Sequence, residues 1–387
     1  MRPVAPPLRT ALTHALAALS RGVLLLLLIL GATSLTSCRR ARAVWHRHSA
    51  LGRAQAAAAH RHIVRGRAHY LRYCALCHGS EGQGYAADHA NALGNQDFLA
   101  IASSAFLRDA IANGRPGTTM SAWSRAHGGP LDPPVINDLV AYLRSRARRP
   151  FIDVGPRRST GTAEAGARVW NDRCLNCHGT RGQGTGLATS VSNPVFLHAV
   201  RDGYLRHTIT HGRPGTPMLA FASLGPAAIE DLIAFIRSSE HVPGPPPPPN
   251  YEPPPGLDRL IINPAGAAPA FTLREGRFVP AEQVARALEQ NRKLVILDAR
   301  ATSDWSTNHI VGAMPFPFYS IEEMATRLPH DGTWILAYCA CPHAASGHVV
   351  DELRRRNFPH TAVIDEGFPF WTAHNFPTAH AAIITTP

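Results

Sequence analysis

Two short stretches, Cys74-Ala-Leu-Cys77-His78 and Cys174-Leu-Asn-Cys177-His178, share the pattern C-x-x-C-H and lie 100 residues apart. A glycine-rich run follows each of them, from position 79 to 84 in the first case and from 179 to 184 in the second. A pattern that recurs together with its flanking residues indicates an internal repeat, which has to be identified before a fold is assigned.

The repeat extends on both sides of the two motifs. Upstream, a glycine and an aromatic residue occur at the same offsets, as Gly66 with Tyr70 and as Gly166 with Trp170. Downstream, the run Asn-Gly-Arg-Pro-Gly-Thr-Thr-Met over 113–120 matches His-Gly-Arg-Pro-Gly-Thr-Pro-Met over 211–218. Apolar residues spaced at i, i+3, i+4 and i+7 then predict a closing helix over 136–143 and another over 229–236. We call residues 60–150 the first copy and residues 151–240 the second copy.

The C-x-x-C-H spacing is that of covalent haem attachment. Two thiols add to the two vinyl groups of one haem, and the adjacent histidine lies under the iron as the proximal ligand. A single such motif also occurs at zinc and redox sites, but two in parallel contexts favour haem. The sequence therefore predicts two covalently bound haem c groups, held by Cys74, Cys77, His78, Cys174, Cys177 and His178.

The two copies resemble class I c-type cytochrome domains in tandem, over about 60–148 and 160–240. The resemblance implies an all-α fold in which an N-terminal helix crosses a C-terminal helix and a loop methionine is the distal iron ligand. Met120 and Met218 are each the only methionine of their copy, so we expect them to be these ligands. The rival sixth ligands are the histidines His69, His89, His127, His198, His207 and His211. Thioether and imidazole together leave iron no open position, which favours electron transfer over oxygen chemistry.

The N-terminus has the pattern of a signal peptide over residues 1–37. Three arginines are its only charges, and the unbroken apolar run from Val23 to Leu30 is too short to span a bilayer. The following Leu35-Thr-Ser-Cys38 resembles a bacterial lipobox, which implies cleavage before Cys38 and a lipid on its thiol. An uncleaved signal anchor and simple secretion stay open. We expect the folded part in the bacterial periplasm or cell envelope, attached to a membrane through a lipidated N-terminus and flexible tether over 38–59.

Composition argues for folded domains and against nucleic-acid binding. Of the 387 residues, 45% are hydrophobic and 17% are charged, so there is enough apolar material for packed cores. The net charge is +12, but it is densest over 38–59, where five arginines and no acidic residue occur. Because export and this placement speak against a nucleic-acid surface, we expect the basic surfaces to bind redox partner proteins with acidic surfaces.

The C-terminal third has a different pattern. Residues 241–260 read as a Pro-rich linker, with five consecutive prolines over 245–249. Beyond it, strand patterns over 293–300, 334–338 and 362–364 alternate with helical patterns over 282–289 and 347–356. Such alternation predicts an α/β domain with a parallel sheet, which we place at residues 261–387.

This domain resembles the rhodanese (sulfurtransferase) domain over about 270–380. The matching stretches are Leu-Asp-Ala-Arg over 297–300, His-Ile-Val-Gly-Ala over 309–313, Tyr338-Cys339, the run from 367 to 371, and Phe-Pro at 376–377. The resemblance implies that Cys339 is a nucleophile that takes sulfane sulfur from a small sulfur compound. The fold class expected for the whole chain is therefore multidomain, with two all-α cytochrome c domains followed by an α/β rhodanese-like domain.

One departure from the rhodanese pattern bears on activity. Position 344, five residues after Cys339, is alanine where the common active loop has arginine or lysine, and a second cysteine stands at 341. Three interpretations stay open: reactive chemistry at Cys339 with Cys341, a non-catalytic docking or redox-sensing module, and a metal site that includes His343 or His348.

Overall fold

The computed structural model describes residues 52–87, 90–239, 251–253, 255–256, 259–340 and 343–383. The chain divides into two compact units, Met1–Arg61 and His62–Pro387. Residues 52–61 of the first unit are helical, which differs from the flexible tether predicted over 38–59. The predicted signal peptide, Cys38 and much of the predicted Pro-rich linker lie outside the described residues. Both copies and the C-terminal domain belong to the second unit.

The first copy is helical, and side chains cap the start of two of its helices. The helices are α1 (62–73), α2 (Ala75–His78), α3 (Gln96–Ile101), α4 (Ser104–Asn113) and α5 (Pro133–Ser145). The Asn95 side chain accepts hydrogen bonds from the first backbone N–H groups of α3, and the Ser103 side chain does the same for α4. These bonds satisfy donors that have no partner inside a helix. The closing helix predicted over 136–143 is confirmed within α5.

The second copy repeats this order. Its helices are α6 (Ala163–Arg173), α7 (Leu175–His178), α8 (Pro194–Ala199), α9 (Asp202–His211) and α10 (Gly225–Ser238). Thr162 caps α6 and Asn193 caps α8, at the position equivalent to Asn95. The closing helix predicted over 229–236 is confirmed within α10. The buried apolar side chains of both copies form one continuous cluster.

A glycine sits where the first and last helices of each copy cross. A Cβ atom added at Gly66 in α1 would lie 2.0 Å from the carbonyl oxygen of Asp138 in α5. A Cβ atom added at Gly166 in α6 would lie 2.0 Å from the carbonyl oxygen of Asp231 in α10. Only a residue without a side chain lets the two backbones approach so closely.

The aromatic residue one turn further along fixes the same helix to the haem motif. Tyr70 is 1% exposed and Trp170 is 2% exposed. The Tyr70 hydroxyl donates to the carbonyl oxygen of Gly79 at 2.8 Å, and the Trp170 indole N–H donates to that of Gly179 at 3.0 Å. The crossing helix and the turn that follows each histidine are therefore joined by a buried hydrogen bond.

The C-terminal domain is built on a five-stranded parallel sheet in the order β1-β6-β5-β2-β4. A separate antiparallel pair joins β3 and β7. The strands are β1 (Phe278–Val279), β2 (Val295–Asp298), β3 (His309–Ile310), β4 (Met314–Pro315), β5 (Ile335–Tyr338), β6 (Thr361–Ile364) and β7 (Thr378–Ala379). The helices are α11 (Ala281–Glu289), α12 (Thr302–Thr307), α13 (Ile321–Ala325), α14 (Ala344–Arg355) and α15 (Gly367–Ala373). The predicted parallel α/β sheet is confirmed.

Both faces of this sheet are buried. Side chains alternate between the faces of a strand, so Leu297 and Ala337 belong to one apolar cluster while Ile296 and Leu336 belong to the other. The central strands consequently read as continuous apolar runs in the sequence, as parallel strands covered on both faces do.

The Asp-x-Arg turn after β2 has a structural role. Asp298 is fully buried and accepts two parallel hydrogen bonds from Arg300, at 2.9 Å and 2.6 Å. The Tyr338 hydroxyl at the end of β5 donates to the same carboxylate at 2.7 Å. A buried charge needs such complete pairing. The network therefore holds the ends of β2 and β5 together, directly before Cys339.

Candidate haem centres and the Cys339 loop

Each C-x-x-C-H motif folds into a single helical turn. Cys74 precedes α2, and its carbonyl oxygen accepts the backbone N–H of His78 at 2.9 Å. Cys174 and His178 make the same bond at 2.9 Å around α7. Residues three apart on a helical turn lie on one side of it, so the two cysteines of each motif share one side of their turn.

Hydrogen bonding fixes the histidine ring in both copies. Nδ1 of His78 lies 2.8 Å from the carbonyl oxygen of Asn91, and Nδ1 of His178 lies 3.0 Å from that of Thr189. A carbonyl can only accept, so Nδ1 carries the proton and Nε2 keeps a lone pair for a metal. Burial also lowers the pKa of both imidazoles, which favours the neutral form that binds iron.

The cysteine surroundings fit an apolar macrocycle. Burial raises the pKa of the Cys74 thiol to about 12 and that of the Cys174 thiol to about 11. Desolvation disfavours a charged thiolate in such a place, whereas an uncharged thioether to haem suits it. The donor set of two cysteines and one oriented histidine in each copy therefore fits covalently attached haem c.

The methionine loops have the same geometry in both copies. The backbone N–H of Arg115 donates to the Met120 carbonyl at 2.8 Å, and Arg213 donates to the Met218 carbonyl at 2.8 Å. Both methionine N–H groups donate to a threonine hydroxyl two residues earlier, at 3.2 Å. Both side chains are half-buried. The structure presents the two thioethers alike, and their iron ligation stays a prediction.

The rival histidines have other contacts. His207 and His211 stack on one another with ring centroids 4.1 Å apart. His127 Nε2 lies 3.0 Å from the Asn113 side-chain oxygen, and His198 is exposed. His69 stacks on Tyr73 at 6.3 Å. His89 lies outside the described residues.

The two copies exchange equivalent contacts across their interface. The Asn95 side chain donates to the Pro214 carbonyl at 2.8 Å, and the Asn193 side chain donates to the Pro116 carbonyl at 2.8 Å. Each methionine loop is thus held by the helix cap of the other copy. The arginines of these loops also lie over aromatic rings of the opposite copy, Arg115 over Phe196 at 5.8 Å and Arg213 over Phe98 at 6.0 Å.

Cys339 directly follows strand β5 and is 2% exposed. Its sulfur lies 3.2 Å from the Ser346 hydroxyl in the first turn of α14. His343, immediately before α14, has a left-handed backbone with φ 71°. Its Nε2 lies 2.7 Å from the Asp365 carbonyl oxygen, and its ring packs against Phe278. Cys341 lies outside the described residues, among which no three metal-binding side chains come together.

Arg277 is a basic residue near this loop that the sequence analysis did not single out. Its guanidinium donates to the Gly347 carbonyl at 3.0 Å and pairs with Asp351, both in α14. The pairing with Asp351 occupies the guanidinium. Arg277 lies about sixty residues before Cys339 in the chain, and no local pattern in the sequence points to it.

The rhodanese-like region packs against the first copy. The Ser121 hydroxyl donates to the Asp304 carboxylate at 2.6 Å. The Ser303 and Thr302 hydroxyls donate to the carbonyl oxygens of Ala122 and Gly128, both at 2.6 Å. This contact could not be predicted from the sequence, because neither residues 121–128 nor residues 302–304 carry a motif that marks them as partners.

Two protein-family models match the cytochrome copies and the C-terminal domain. Residues 61–143 and 161–236 match the model of cytochrome c oxidase, cbb3-type, subunit III, and residues 280–374 match that of the rhodanese-like domain. The chain thus consists of two cytochrome c domains followed by a rhodanese-like domain, as the resemblances implied. Cytochrome c domains imply covalently bound haem c. Among the described residues, no helix is long and apolar enough to cross a membrane.

The curated relatives include cbb3-type oxidase subunits. The chain is 28% identical over 174 residues to subunit FixP of Bradyrhizobium sp. (strain ORS 278), covering 43% of this chain and 57% of the relative. It is 27% identical over 187 residues to subunit CcoP of Azospirillum brasilense, covering 45% and 60%. The chain therefore spans less than two thirds of the length of these relatives.

Solved structures with similar parts have low TM-scores. The rhodanese-like domain of the Alr3790 protein from Anabaena sp. is 28% identical, with 30% of this chain and 86% of that chain covered and a TM-score of 0.26. A reducing HAO-like protein complex from Kuenenia stuttgartiensis is 24% identical, with 46% and 96% covered and a TM-score of 0.32.

Proposed function

We propose that this protein transfers electrons through two covalently bound haem c groups, one in each cytochrome c domain. The observation that carries the proposal is the agreement between the copies: both orient the histidine through an Nδ1 hydrogen bond to a carbonyl and both hold a methionine in the same loop. Haem c supplies an iron centre that takes up and releases one electron at a time.

The residues of the chain have three tasks in this function. The cysteines would attach the group, and His78 and His178 would bind its iron in a fixed ring orientation. Met120 and Met218 would supply the second iron ligand in each copy, a ligand set that suits electron transfer. The exchanged contacts between the copies, from Asn95 and Asn193 to the opposite methionine loops, support transfer from one copy to the other.

The test is to mature the protein in a haem-loading host and count haem by the pyridine haemochrome spectrum. We expect two haems per chain in the parent and one in a Cys174→Ala/Cys177→Ala variant. Met218→Ala should remove the methionine–iron charge-transfer band of one haem and leave that of the other. Fewer than two haems in the parent, or an unchanged band in Met218→Ala, would contradict the proposal.

For the rhodanese-like domain we propose that Cys339 accepts sulfane sulfur. With thiosulfate as donor, the Cys339 thiolate attacks the outer sulfur, the S–S bond of thiosulfate breaks, sulfite leaves and a persulfide remains on Cys339. The position of Cys339 between β5 and α14, beside the Ser346 hydroxyl, supports this role.

The test uses the full chain with oxidised haems and without oxygen, treated with thiosulfate or polysulfide. Mass spectrometry should detect one added sulfur in the parent and none in Cys339→Ala. Fast haem reduction in the parent alone would connect this chemistry to the haems. An unmodified Cys339 would overturn the sulfur proposal without affecting the proposal of electron transfer.

A non-catalytic role for this domain is the second candidate. Cys339 is 2% exposed, position 344 is alanine, and side-chain hydrogen bonds join the domain to the first cytochrome domain, among them those of Arg72, Ser121 and Ser303. These features favour a module that docks on the cytochrome. Equal haem behaviour of the parent and Cys339→Ala, with no persulfide in either, is the result that this candidate predicts.

We further propose that the protein resides in the bacterial periplasm or cell envelope, held to a membrane by a lipid on Cys38. The lipobox-like Leu35 to Cys38 supports this placement. Palmitate labelling of the parent and of Cys38→Ala would test it. We expect label and membrane association in the parent, and both lost in the variant. Equal membrane association of the two would overturn the anchor.

A further inference from the structure

The two cytochrome domains differ on one surface, which we call the motif face. We define it in the first domain as Tyr73, Leu76 and Ser121, and in the second domain as the equivalent residues Arg173, Asn176 and Leu219 together with Leu187 of the loop that follows the haem motif. In each domain the first two residues lie beside or inside the haem motif, and the third directly follows the loop methionine. Because the two domains are copies, each serves as the reference for the other.

The rhodanese-like domain covers the first motif face. Leu76, inside the haem motif, packs against the apolar cluster that contains Cys339. Tyr73 packs against Tyr319 with ring centroids 5.0 Å apart, and Trp123 against the same ring at 5.7 Å. Trp123 is 8% exposed. The first motif face is therefore the inner side of an interdomain contact.

The second motif face is open to solvent. Leu219 is 67% exposed, Leu187 is 58% exposed, and Cys177 of the haem motif is exposed as well. Leu187 is held in place, because its N–H donates to the Thr185 hydroxyl at 3.0 Å and that hydroxyl donates to the Cys177 carbonyl at 2.6 Å. Two large apolar side chains thus stand exposed, Leu187 beside the second haem motif and Leu219 directly after the loop methionine.

The sequence differences between the faces match this difference in exposure. The covered positions Tyr73 and Leu76 correspond to Arg173 and Asn176 on the open face. Ser121 of the covered face corresponds to Leu219, and the loop after the second haem motif, which is two residues shorter than that of the first copy, carries Leu187. The open face combines exposed apolar side chains with polar neighbours, which is the composition of a protein contact with an apolar centre and a polar rim.

The charge of the rim indicates the kind of partner. Arg173 stands where the first domain has Tyr73, and Arg181 stands where the first domain has Glu81. Both arginines are exposed. Asp172 pairs with Arg173 at 2.8 Å, and Glu81 of the first domain pairs with Arg146 at 2.8 Å, so Arg181 gives the open rim a positive charge that the first domain lacks at this position. A basic rim favours carboxylates on the partner and accelerates their encounter.

We propose that the second motif face is the docking surface for a separate electron-carrier protein, one with an apolar contact patch bordered by carboxylates. The first motif face is closed to such a carrier because the rhodanese-like domain occupies it. Electrons then enter and leave the chain at the second domain, and the first domain exchanges them within the molecule. This inference rests on the proposed electron-transfer function and assigns its external surface.

The experiment uses the full haem-loaded chain and two reductants. Reduced flavodoxin, a small acidic flavoprotein, serves as the protein probe, and durohydroquinone serves as a small uncharged reductant. Stopped-flow absorbance without oxygen gives the second-order rate constant of haem reduction for the parent and for Leu187→Glu and Arg181→Glu. Val64→Glu and Arg67→Glu, at exposed positions on α1 of the first domain, are the matched controls.

We expect Leu187→Glu and Arg181→Glu each to slow reduction by flavodoxin about tenfold or more, since mutants of one contact surface span one to three decades in rate. Reduction by durohydroquinone should stay within about twofold of the parent, and both controls should resemble the parent with either reductant. Raised salt should slow the parent with flavodoxin and have little effect on Arg181→Glu.

A binding measurement gives an independent readout. In hydroxyl-radical footprinting of the oxidised protein, we expect Leu187 and Leu219 to be labelled and to become protected when oxidised flavodoxin is added. Leu76 should be protected in both samples. Protection that appears elsewhere, or equal rates for Leu187→Glu and Val64→Glu, would overturn the proposal.

Two further outcomes are distinguishable. A parent chain that is a dimer and becomes a monomer on Leu187→Glu would show that a second copy of this chain occupies the face, which overturns docking of a carrier. A parent chain that durohydroquinone cannot reduce would contradict the proposed function, while the footprint would still decide whether this face binds the carrier.

Discussion

The helix crossing at Gly166 offers a substitution whose effect follows from measured distances. In Gly166→Ala, the new Cβ would lie 2.0 Å from the Asp231 carbonyl oxygen and 2.6 Å from its carbon. Ordinary contact begins at 3.4 Å, so α6 and α10 would have to separate by about 1.4 Å (3.4 − 2.0). The obstacle is backbone and cannot rotate away as a flexible side chain would.

Two opposing effects set the magnitude. Overpacking costs about 1–3 kcal/mol, and the upper end applies here because a helix axis has to move. Alanine gains about 1 kcal/mol over glycine inside a helix. The net loss of unfolding free energy is about 2 kcal/mol. For a cooperative unit of 150–250 residues, each kcal/mol lowers Tm by about 2–4 °C, so we expect a decrease of roughly 4–8 °C.

The assay is thermal unfolding of the haem-loaded protein, followed by far-ultraviolet circular dichroism and by the haem absorbance. Gly66→Ala should behave like Gly166→Ala, because its Cβ would meet the Asp138 carbonyl oxygen at the same 2.0 Å. Gly52→Ala is the control, since a Cβ there meets nothing within 4 Å and should leave Tm unchanged or raise it. A Tm of Gly166→Ala within about 1 °C of the parent would refute the reasoning.

Three further predictions concern other parts of the fold. Glu230→Gln should lower the free energy of unfolding by about 3 kcal/mol at pH 7, because hydrogen bonds from Arg206 lower the pKa of this buried carboxyl from 4.5 to about 2. This stabilisation is present above pH 4.5 and disappears towards pH 2, and a series of Tm measurements across this pH range would show its loss. Asp304→Asn should raise Tm at pH 7, because burial raises the pKa of Asp304 and its charge is costly there. The gain should shrink as the pH falls and vanish well below pH 3.8, where the carboxyl is protonated in both the folded and the unfolded state. Asn95→Ala and Asn193→Ala should each lower unfolding free energy by about 1–2 kcal/mol, through loss of a helix cap and of the bond to the opposite copy.

Each of these has an outcome that contradicts it. An effect of Glu230→Gln that is the same at pH 3 and pH 7 would show that its charge is not the cause. A lower Tm of Asp304→Asn at pH 7 would show that the bond to Ser121 outweighs the cost of burial. A large effect of Asn95→Ala beside none for Asn193→Ala would contradict the equivalence of the two contacts.

The elements of the fold could be predicted because local patterns determine them. The i, i+3, i+4, i+7 spacing of apolar residues in α5 and α10 indicates that each helix buries one face. The continuous apolar runs of β2 and β5 indicate that these strands are buried on both faces. The haem motifs could also be predicted without tertiary information, because the two cysteines and the histidine that attach one haem are neighbours in the chain.

The contacts between domains could not be predicted in this way. Ser121 and Asp304 are 183 residues apart, and neither belongs to a motif. A signal was nevertheless present in the comparison of the copies: Tyr73 and Leu76 are apolar where Arg173 and Asn176 are polar. An apolar residue whose counterpart in a repeat is charged marks a surface that only one copy buries. The network of Asp298, Arg300 and Tyr338 could not be predicted for another reason. A sequence does not show whether a charged residue is exposed to solvent or buried and paired.

The exchange of Asn95 and Asn193 between the copies has a practical consequence for dividing this protein. The aromatic side chains Phe106, Phe196 and Tyr204 pack on one another across the same interface. A cut between residues 150 and 160 would leave each half with uncovered rings and an unbraced methionine loop. Any domain exchange should therefore move residues 62–239 as one piece, together with the rhodanese-like domain whose Tyr319 packs against Tyr73 and Trp123.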